Sequence, residues 1–552
     1  MLNFHRHQDC PTGRIYGSFV MLKSGIFVII AIWIMVYSTG CSQIRTTPAG
    51  EQASPIPAAQ REFRAAWVAT VVNIDWPSAP GLPVEEQKNE ALAILDTAVS
   101  LNLNTIILQV RPQCDAFYAS KLEPWSYFLT GVQGQAPEPF YDPLEFWIRE
   151  AHDRGLELHA WFNPYRAHHP KGGEISDKSV IRTHPGLVKK LDNGYYWLNP
   201  SDPRTREYSL NVVMDVLRRY DIDGIHFDDY FYPYGDGSFP DDSTWADYQA
   251  NGGTLSREDW RRESINEFIE DLYAAIKNEK PWIKFGLSPF GIWRPGNPPS
   301  IRGFDQYNIL YADAKLWLNN GWIDYWSPQL YWPISRIPQS FPVLLGWWTR
   351  QNRMDRNIWP GLFTSRIADS AGALENINQI MTIRGFEPDS PGHIHFSMKA
   401  LMEDRGGIKT ALKQGPYSQA ALIPPSPWLD DEPPEKPVVK VDADSDSVRI
   451  SWVQSSPGDV FHYVLYTRYG HDWRYDILNT GTDEKTMPVH YILIRKKRTV
   501  NADTAGDTVR IDLSRIAVSA VDRTGNESAA AETPIRSRTQ VGGSDMTAGA
   551  NR

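Results

Sequence analysis

The sequence predicts an α/β protein, a (β/α)8 TIM-type barrel followed by a C-terminal all-β sandwich, and three observations lead there. Eight short apolar runs alternate with longer segments of helical periodicity from Arg61 to about Pro425. The connections leaving the runs are long (112–141, 164–202, 230–258), while returns from helix to strand, such as Arg154-Gly155 and Tyr220-Asp221, take a few residues. Beyond Leu429 the composition changes through the proline-rich DDEPPEKP to alternating strand patterns.

The eight runs are FRAAWVAT (63–70), TIILQVR (105–111), LELHAWFN (156–163), IDGIHFDD (222–229), IKFGLSP (283–289), IDYWSPQLYW (323–332), NIWPGLF (357–363) and GHIHFSM (392–398). Helical segments lie between them. In 85–102 apolar residues recur three and four apart, and in 203–220 the first turn has Ser201 or Asp202 before it as a cap. An open doubly wound sheet would carry a Gly-rich phosphate turn after its first strand, and none is present. The patterns place the barrel at 61–425, the sandwich at 432–536 and a disordered polar tail at 537–552.

At 552 residues, 41% hydrophobic, the chain supplies core for two or more domains. A formal charge of −10 provides no basic stripe for a phosphate backbone, so nucleic acid is excluded as a partner. The cysteines Cys10, Cys41 and Cys114 are too scattered for a zinc site or a disulfide framework. No metal or cofactor is expected.

Residues 25–37 (GIFVIIAIWIMVY) form an apolar run after Lys23, shorter than the roughly 20 residues of a spanning helix. This predicts an export signal over 1–41, with the natural start at Met21; the alternative is a plain membrane anchor. Gly40-Cys41 resembles the bacterial lipobox, although Ser38 departs from the usual Leu. That resemblance implies lipidation at Cys41, and Ser42 in place of Asp implies the outer membrane, facing the periplasm. Residues 42–60, rich in Pro, Ala, Gln and Thr, read as a flexible tether.

Barrel strands turn alternate side chains inward, so residues two apart at a strand's C-terminal end share the pocket. In DGIHFDDYFYP this puts His226, Asp228 and Tyr230 on one face, with Asp229 at the strand end where twist brings it toward the cleft. Adjacent carboxylates raise one another's pKa toward a general acid's range. Asp75 follows the first strand; Gln109 and Arg111 close the second; His159, Trp161 and Asn163 alternate on the third, followed by Tyr165 and Arg166; Gln329 and Tyr331 end the sixth; His395 lies on the eighth. Trp76, Trp125, Tyr195, Tyr196, Trp197, Tyr232, Tyr234, Trp293 and Trp332 fall in or beside strand-end loops. Aromatic faces stack on the C–H faces of sugars while carboxylates and amides take hydroxyls, which favours a carbohydrate ligand.

At REFRAAWVATVVNIDWP, ILQVRPQCDAFY, ELHAWFNPYR and DGIHFDDYFYP the chain resembles the glycosyl-hydrolase-like family 10 barrels of bacterial lipoproteins, from about Arg61 to Ile423. The resemblance implies a glycosidase acting on peptidoglycan glycan strands, particularly strands stripped of stem peptides. The fourth-strand motif is also similar to that of the alpha-amylase family, which implies a catalytic Asp228 two positions after His226, but KFGLSPFGIW offers no glutamate on the fifth strand. Adjacent acids resemble those of hexosaminidases that use the substrate's own N-acetyl group. Asp228 is then nucleophile or acetamide orienter and Asp229 the general acid, with Asp75 the alternative partner. Two other readings stay open: a non-catalytic carbohydrate- or cell-wall-binding lipoprotein, and a metal-dependent hydrolase using His226, Asp228 and His395. The C-terminal strands, ending in AVDRTGNES, resemble a fibronectin type III sandwich.

Overall fold

The computed structural model describes residues 55–443, 447–488, 490–495 and 507–535. The signal segment, Met21, Cys41, most of the tether and the 537–552 tail lie outside the described residues.

Parallel pairing runs in order through Phe63–Val68, Thr105–Arg111, Glu157–Phe162, Gly224–Phe227, Lys284–Leu287 and Tyr325–Trp326. The seventh strand is split in two. Asn357–Ile358 pairs with the sixth strand and Gly361–Leu362 with the eighth, Gly392–His395, which returns to the first. The ring of eight is thereby closed, as the alternation of apolar runs predicts. Every residue of Phe63–Val68 is buried, because a parallel sheet wrapped by helices is covered on both faces. Phe63, Ala65, Trp67, Ile107, Trp161, Tyr325, Trp359 and Ile394 fill the barrel interior. Ala66, Val68, Ile106, Leu108, Ile225, Phe227, Phe285 and Leu287 pack outward against the helices.

The helix Val84–Ser100 buries Ala91, Ile94, Leu95 and Ala98, the three-and-four spacing seen in its sequence. In Pro203–Arg219 it is Asp202, not Ser201, that caps, its side chain accepting from the Arg204 N–H. One loop aromatic is a core residue: Trp76 is fully buried, edge-on to Trp147 at 5.2 Å, with Nε1 donating to the Gln87 carbonyl at 2.8 Å. Trp197 and Tyr232 are likewise buried. Long barrel loops have a small core of their own, and the largest side chains build it.

The C-terminal region forms two antiparallel sheets. One orders Val438–Ala443, Ser447–Val453 and Glu484–Pro488; the other runs Asp472–Asn479, His462–Tyr469, Asp507–Val521 and His490–Arg495, with Ala531–Pro534 also on Asp507–Val521. Val448, Ile450, Trp452, Leu465, Ile516 and Val518 pack in one cluster. This region is fastened to the barrel face where the strands begin. Arg523 donates to both carboxylate oxygens of Asp221 at 2.8 Å, Lys284 Nζ donates to the Arg523 carbonyl at 2.6 Å, and Arg61 Nη1 donates to the Gly525 carbonyl at 2.7 Å. Ile56 and Ala59 pack with Leu422, Val464, Tyr466, Ala517 and Val521 of the same junction.

Candidate active site

At the opposite face, where the strands end, a cavity of about 220 Å³ opens. Its lining includes Trp67, Ala69, Gln109, Trp161, Arg166, Asp228, Asp229, Tyr230, Tyr234, Ser288, Gln329, Tyr331 and Phe396. Nine residues anticipated from sequence therefore meet here: Asp228, Asp229, Gln109, Trp161, Arg166, Tyr230, Tyr234, Gln329 and Tyr331. The fourth strand ends at Phe227; strict alternation lapses beyond it, and both aspartates reach the cavity.

Asp228 is held from the third strand. Its Oδ2 accepts from Asn163 Nδ2 at 2.5 Å and Trp161 Nε1 at 3.2 Å, and its Oδ1 accepts from the Tyr230 N–H at 3.4 Å. Asn163 is itself oriented, its Oδ1 accepting from Gln109 Nε2 at 2.8 Å and Arg166 Nη2 at 2.5 Å. Gln109 Oε1 in turn accepts from the N–H groups of Thr70 and Val71 at 3.0 and 2.9 Å. Every polar atom in this chain has one role, so the Asp228 carboxylate is fixed before any ligand arrives. Asp229 has fewer partners; Tyr234 donates its hydroxyl to Oδ2.

Burial raises both acids, and their neighbours separate them. Desolvation takes Asp228 up to about 6, opposed by the Arg166 charge and by hydrogen bonds from Asn163, Tyr230 and Trp161. Desolvation and then the adjacent Asp228 charge take Asp229 to about 7, with Tyr234 and Gln329 pulling the other way. The Arg166 charge and the three donors favour the ionised form of Asp228, whereas the Asp228 charge disfavours that of Asp229.

His226 lies beneath the pocket. Its Nε2 faces Trp67 Nε1 at 3.1 Å and the Ser288 hydroxyl at 3.0 Å, and its Nδ1 faces the Tyr325 hydroxyl at 2.9 Å. Burial and the nearby His159 hold it well below the usual imidazole range, so it is neutral. Since the indole N–H only donates, Nε2 is the acceptor and the ring proton sits on Nδ1. The contacts continue down the barrel axis through Tyr325, His159, Glu157 and Lys284. His159 is thus a lower-layer residue, remote from the cavity.

Five other expectations are corrected. Asp75 does not line the cavity; its carboxylate accepts from the N–H groups of Ala69 at 2.8 Å and Lys399 at 2.7 Å and from the Ser397 hydroxyl at 2.7 Å, tying the loop after the first strand to the one after the eighth. Burial lifts it to about 6, and its three hydrogen bonds are all to these two loops. Arg111 points outward because the pairing slips between Gln109 and Arg111, setting Gln109 opposite Trp161 but Arg111 opposite Phe162. Its guanidinium is buried on Glu123, at 2.5 and 2.8 Å, and on the carbonyls of Asn163 and Pro164. Tyr165 is buried against Phe268 outside the barrel. Trp293 stacks on Trp347 and donates to Asp313 at 3.1 Å, away from the carboxylates. His395 faces outward, hydrogen-bonded to the hydroxyls of Thr364 and Tyr417 at 2.8 and 2.9 Å. Hence His226, Asp228 and His395 are not brought together as a ligand set, and among the described residues no other cluster has metal-ligand composition.

Trp67, Ser288 and Phe396 were not anticipated in the site. The alternation used on the third and fourth strands would have found them: Trp67 is four residues after inward Phe63, Ser288 two after Gly286, and Phe396 two after inward Ile394.

The family model described as "Glycosyl hydrolase-like 10" matches residues 62–375, more than half of the chain and all of the strands that supply the carboxylates. The chain belongs to the glycosyl hydrolase-like 10 family. The chain is 37% identical over 430 residues to "Glycosyl hydrolase YngK" of Bacillus subtilis (strain 168), covering 74% of this chain and 83% of that one. It is 35% identical over 349 residues to "Glycosyl hydrolase DigH" of Escherichia coli (strain K12), covering 59% and 79%. Among solved structures it is similar to the PgaB (BpsB) glycoside hydrolase domain from Bordetella bronchiseptica, with TM-score 0.44 and 12% identity over 64% of this chain and 98% of that one.

Proposed function

We propose that this glycosyl hydrolase-like 10 protein cleaves glycosidic bonds in bacterial cell-wall glycan, with peptide-free peptidoglycan strands as substrate, from an exported and lipid-anchored position facing the periplasm. The observation that carries the catalytic reading is the split carboxylate pair: a fixed, hydrogen-bonded Asp228 beside an Asp229 raised to about 7. One group protonates the departing glycosidic oxygen while the other stabilises positive charge at the anomeric carbon, either by direct attack or by orienting the substrate's acetamide. Asp229 is the acid and Asp228 the anion.

The cleft suits a chain. Tyr234 lines both the central cavity and a depression of about 480 Å³ beside Lys190, Asp192, Asp236 and Phe239. Tyr331 does the same on another side, where a further depression of about 220 Å³ begins. Trp67, Trp161, Tyr230 and Phe396 supply apolar surface for sugar rings. The cell-wall substrate follows the family resemblance, and the anchored location rests on the apolar run 25–37 with Gly40-Cys41. The C-terminal module is read as fibronectin type III-like on its two antiparallel sheets.

The test is release of soluble oligosaccharide from peptide-free strands by the wild type, Asp228→Asn and Asp229→Asn, each checked for native circular dichroism. Release by wild type and a loss of at least about a hundredfold in both variants supports the assignment. Binding of strands without release by the wild type would instead mark a carbohydrate-binding lipoprotein.

A further inference from the structure

The depression beyond Tyr331 presents an exposed guanidinium, whereas that of Arg166 in the central cavity is buried and hydrogen-bonded to Asn163 and the Pro112 carbonyl. It is lined by Trp332, Phe363, Arg366, Glu375 and Gln379 among others. Arg366 is exposed at its edge. Its Nη1 donates to the Tyr331 carbonyl at 3.2 Å, and its guanidinium lies 5.0 Å from the centre of the Phe363 ring. These two contacts aim the planar fork without neutralising it, and among the described residues it has no ion-pair partner. The acidic neighbour Glu375 is otherwise engaged, its Oε1 accepting from the Ile334 N–H at 2.8 Å and from Gln379 Nε2 at 3.2 Å.

An arginine without a counter-ion is ordinarily a solvated surface group. This one is hydrogen-bonded to the backbone of the residue whose ring borders the catalytic cavity, on a chain of formal charge −10. An exposed guanidinium held beside an aromatic ring is suited to a carboxylate, which it takes bidentately.

We propose that Arg366 forms an anionic-sugar subsite, receiving the free lactyl carboxylate of a muramyl residue next to the cleaved bond. The inference rests on the glycan-hydrolase reading and adds a basis for its selectivity. In an intact strand that carboxyl is amide-linked to the stem peptide and carries no charge. Removal of the peptide leaves a carboxylate, so Arg366 registers peptide removal as the appearance of a charge.

The test is binding of the full chain to soluble peptide-free strands and to the same strands after methyl esterification, which removes the charge and leaves the glycan. Wild type favours the free acid by about threefold in Kd, the scale of one exposed ion pair. In Arg366→Gln the ratio falls close to one, and Arg366→Lys retains part of it. An unchanged ratio in Arg366→Gln, or no preference in wild type, overturns the subsite. Preference for the free acid without cleavage would sink the hydrolase reading and leave the subsite standing; cleavage with equal affinity for both strands would do the reverse.

Discussion

Replacing Asp229 by Asn tests whether the site is held at the expense of stability. Asp229 is buried, with a carboxyl raised from 3.8 to about 7. A raised folded-state pKa means its contribution to stability is fully present below about pH 3.8 and is lost as pH rises through 7. At pH 8 the ionised group costs up to about 4 kcal/mol, from roughly three units at 1.36 kcal/mol each. Asparagine is nearly isosteric, retains an oxygen to accept from the Tyr234 hydroxyl and carries no charge. Unfolding entropy of about 2.1 cal/mol/K per residue over roughly 480 residues is about 1 kcal/mol/K, so the variant should melt up to about 4 °C above wild type at pH 8. At pH 4 the two should nearly coincide. Scanning calorimetry of both proteins from pH 4 to 8 gives the comparison. A difference that does not change with pH, or a variant less stable at pH 8, would refute the assignment of a desolvated, ionising Asp229.

Tyr234→Phe removes a donor that favours the Asp229 carboxylate. The alkaline limb of kcat/KM against pH, set by loss of the acid's proton, should move upward by about one unit. A fixed limb would assign the acid elsewhere. Arg111→Ala strands buried Glu123, and the variant should lose about 3–5 kcal/mol in urea unfolding, far more than a substrate contact at the cleft surface would cost.

The barrel was legible because each parallel strand is buried on both faces and leaves a mainly apolar run, as in TIILQVR and IKFGLSP. The carboxylate pair was legible because Asp228 and Asp229 stand directly after such a run. What the pattern does not encode is a slipped register. One irregular pairing at the end of the second strand turns Arg111 away from the cleft that Gln109 enters, and nothing in QVRP marks the slip. Asp75 misled for a related reason: an aspartate after a strand serves equally well to accept backbone N–H groups, and only the position of Ser397 and Lys399, more than 300 residues on, decides which. Trp76 showed that an aromatic in a long loop is as apt to be that loop's core as a sugar platform.

The chain enters the described fold at the junction between barrel and C-terminal sheets, where Ile56 and Ala59 are packed and Gln60 N–H donates to the Tyr475 hydroxyl at 3.1 Å. That junction is on the barrel end opposite the cavity. The C-terminal sheets therefore leave the cavity mouth uncovered, and a polymer can reach the carboxylates without meeting them. Changes in those sheets would be felt first at the strand starts that Asp221 and Lys284 fasten, and last at the carboxylates on the far rim.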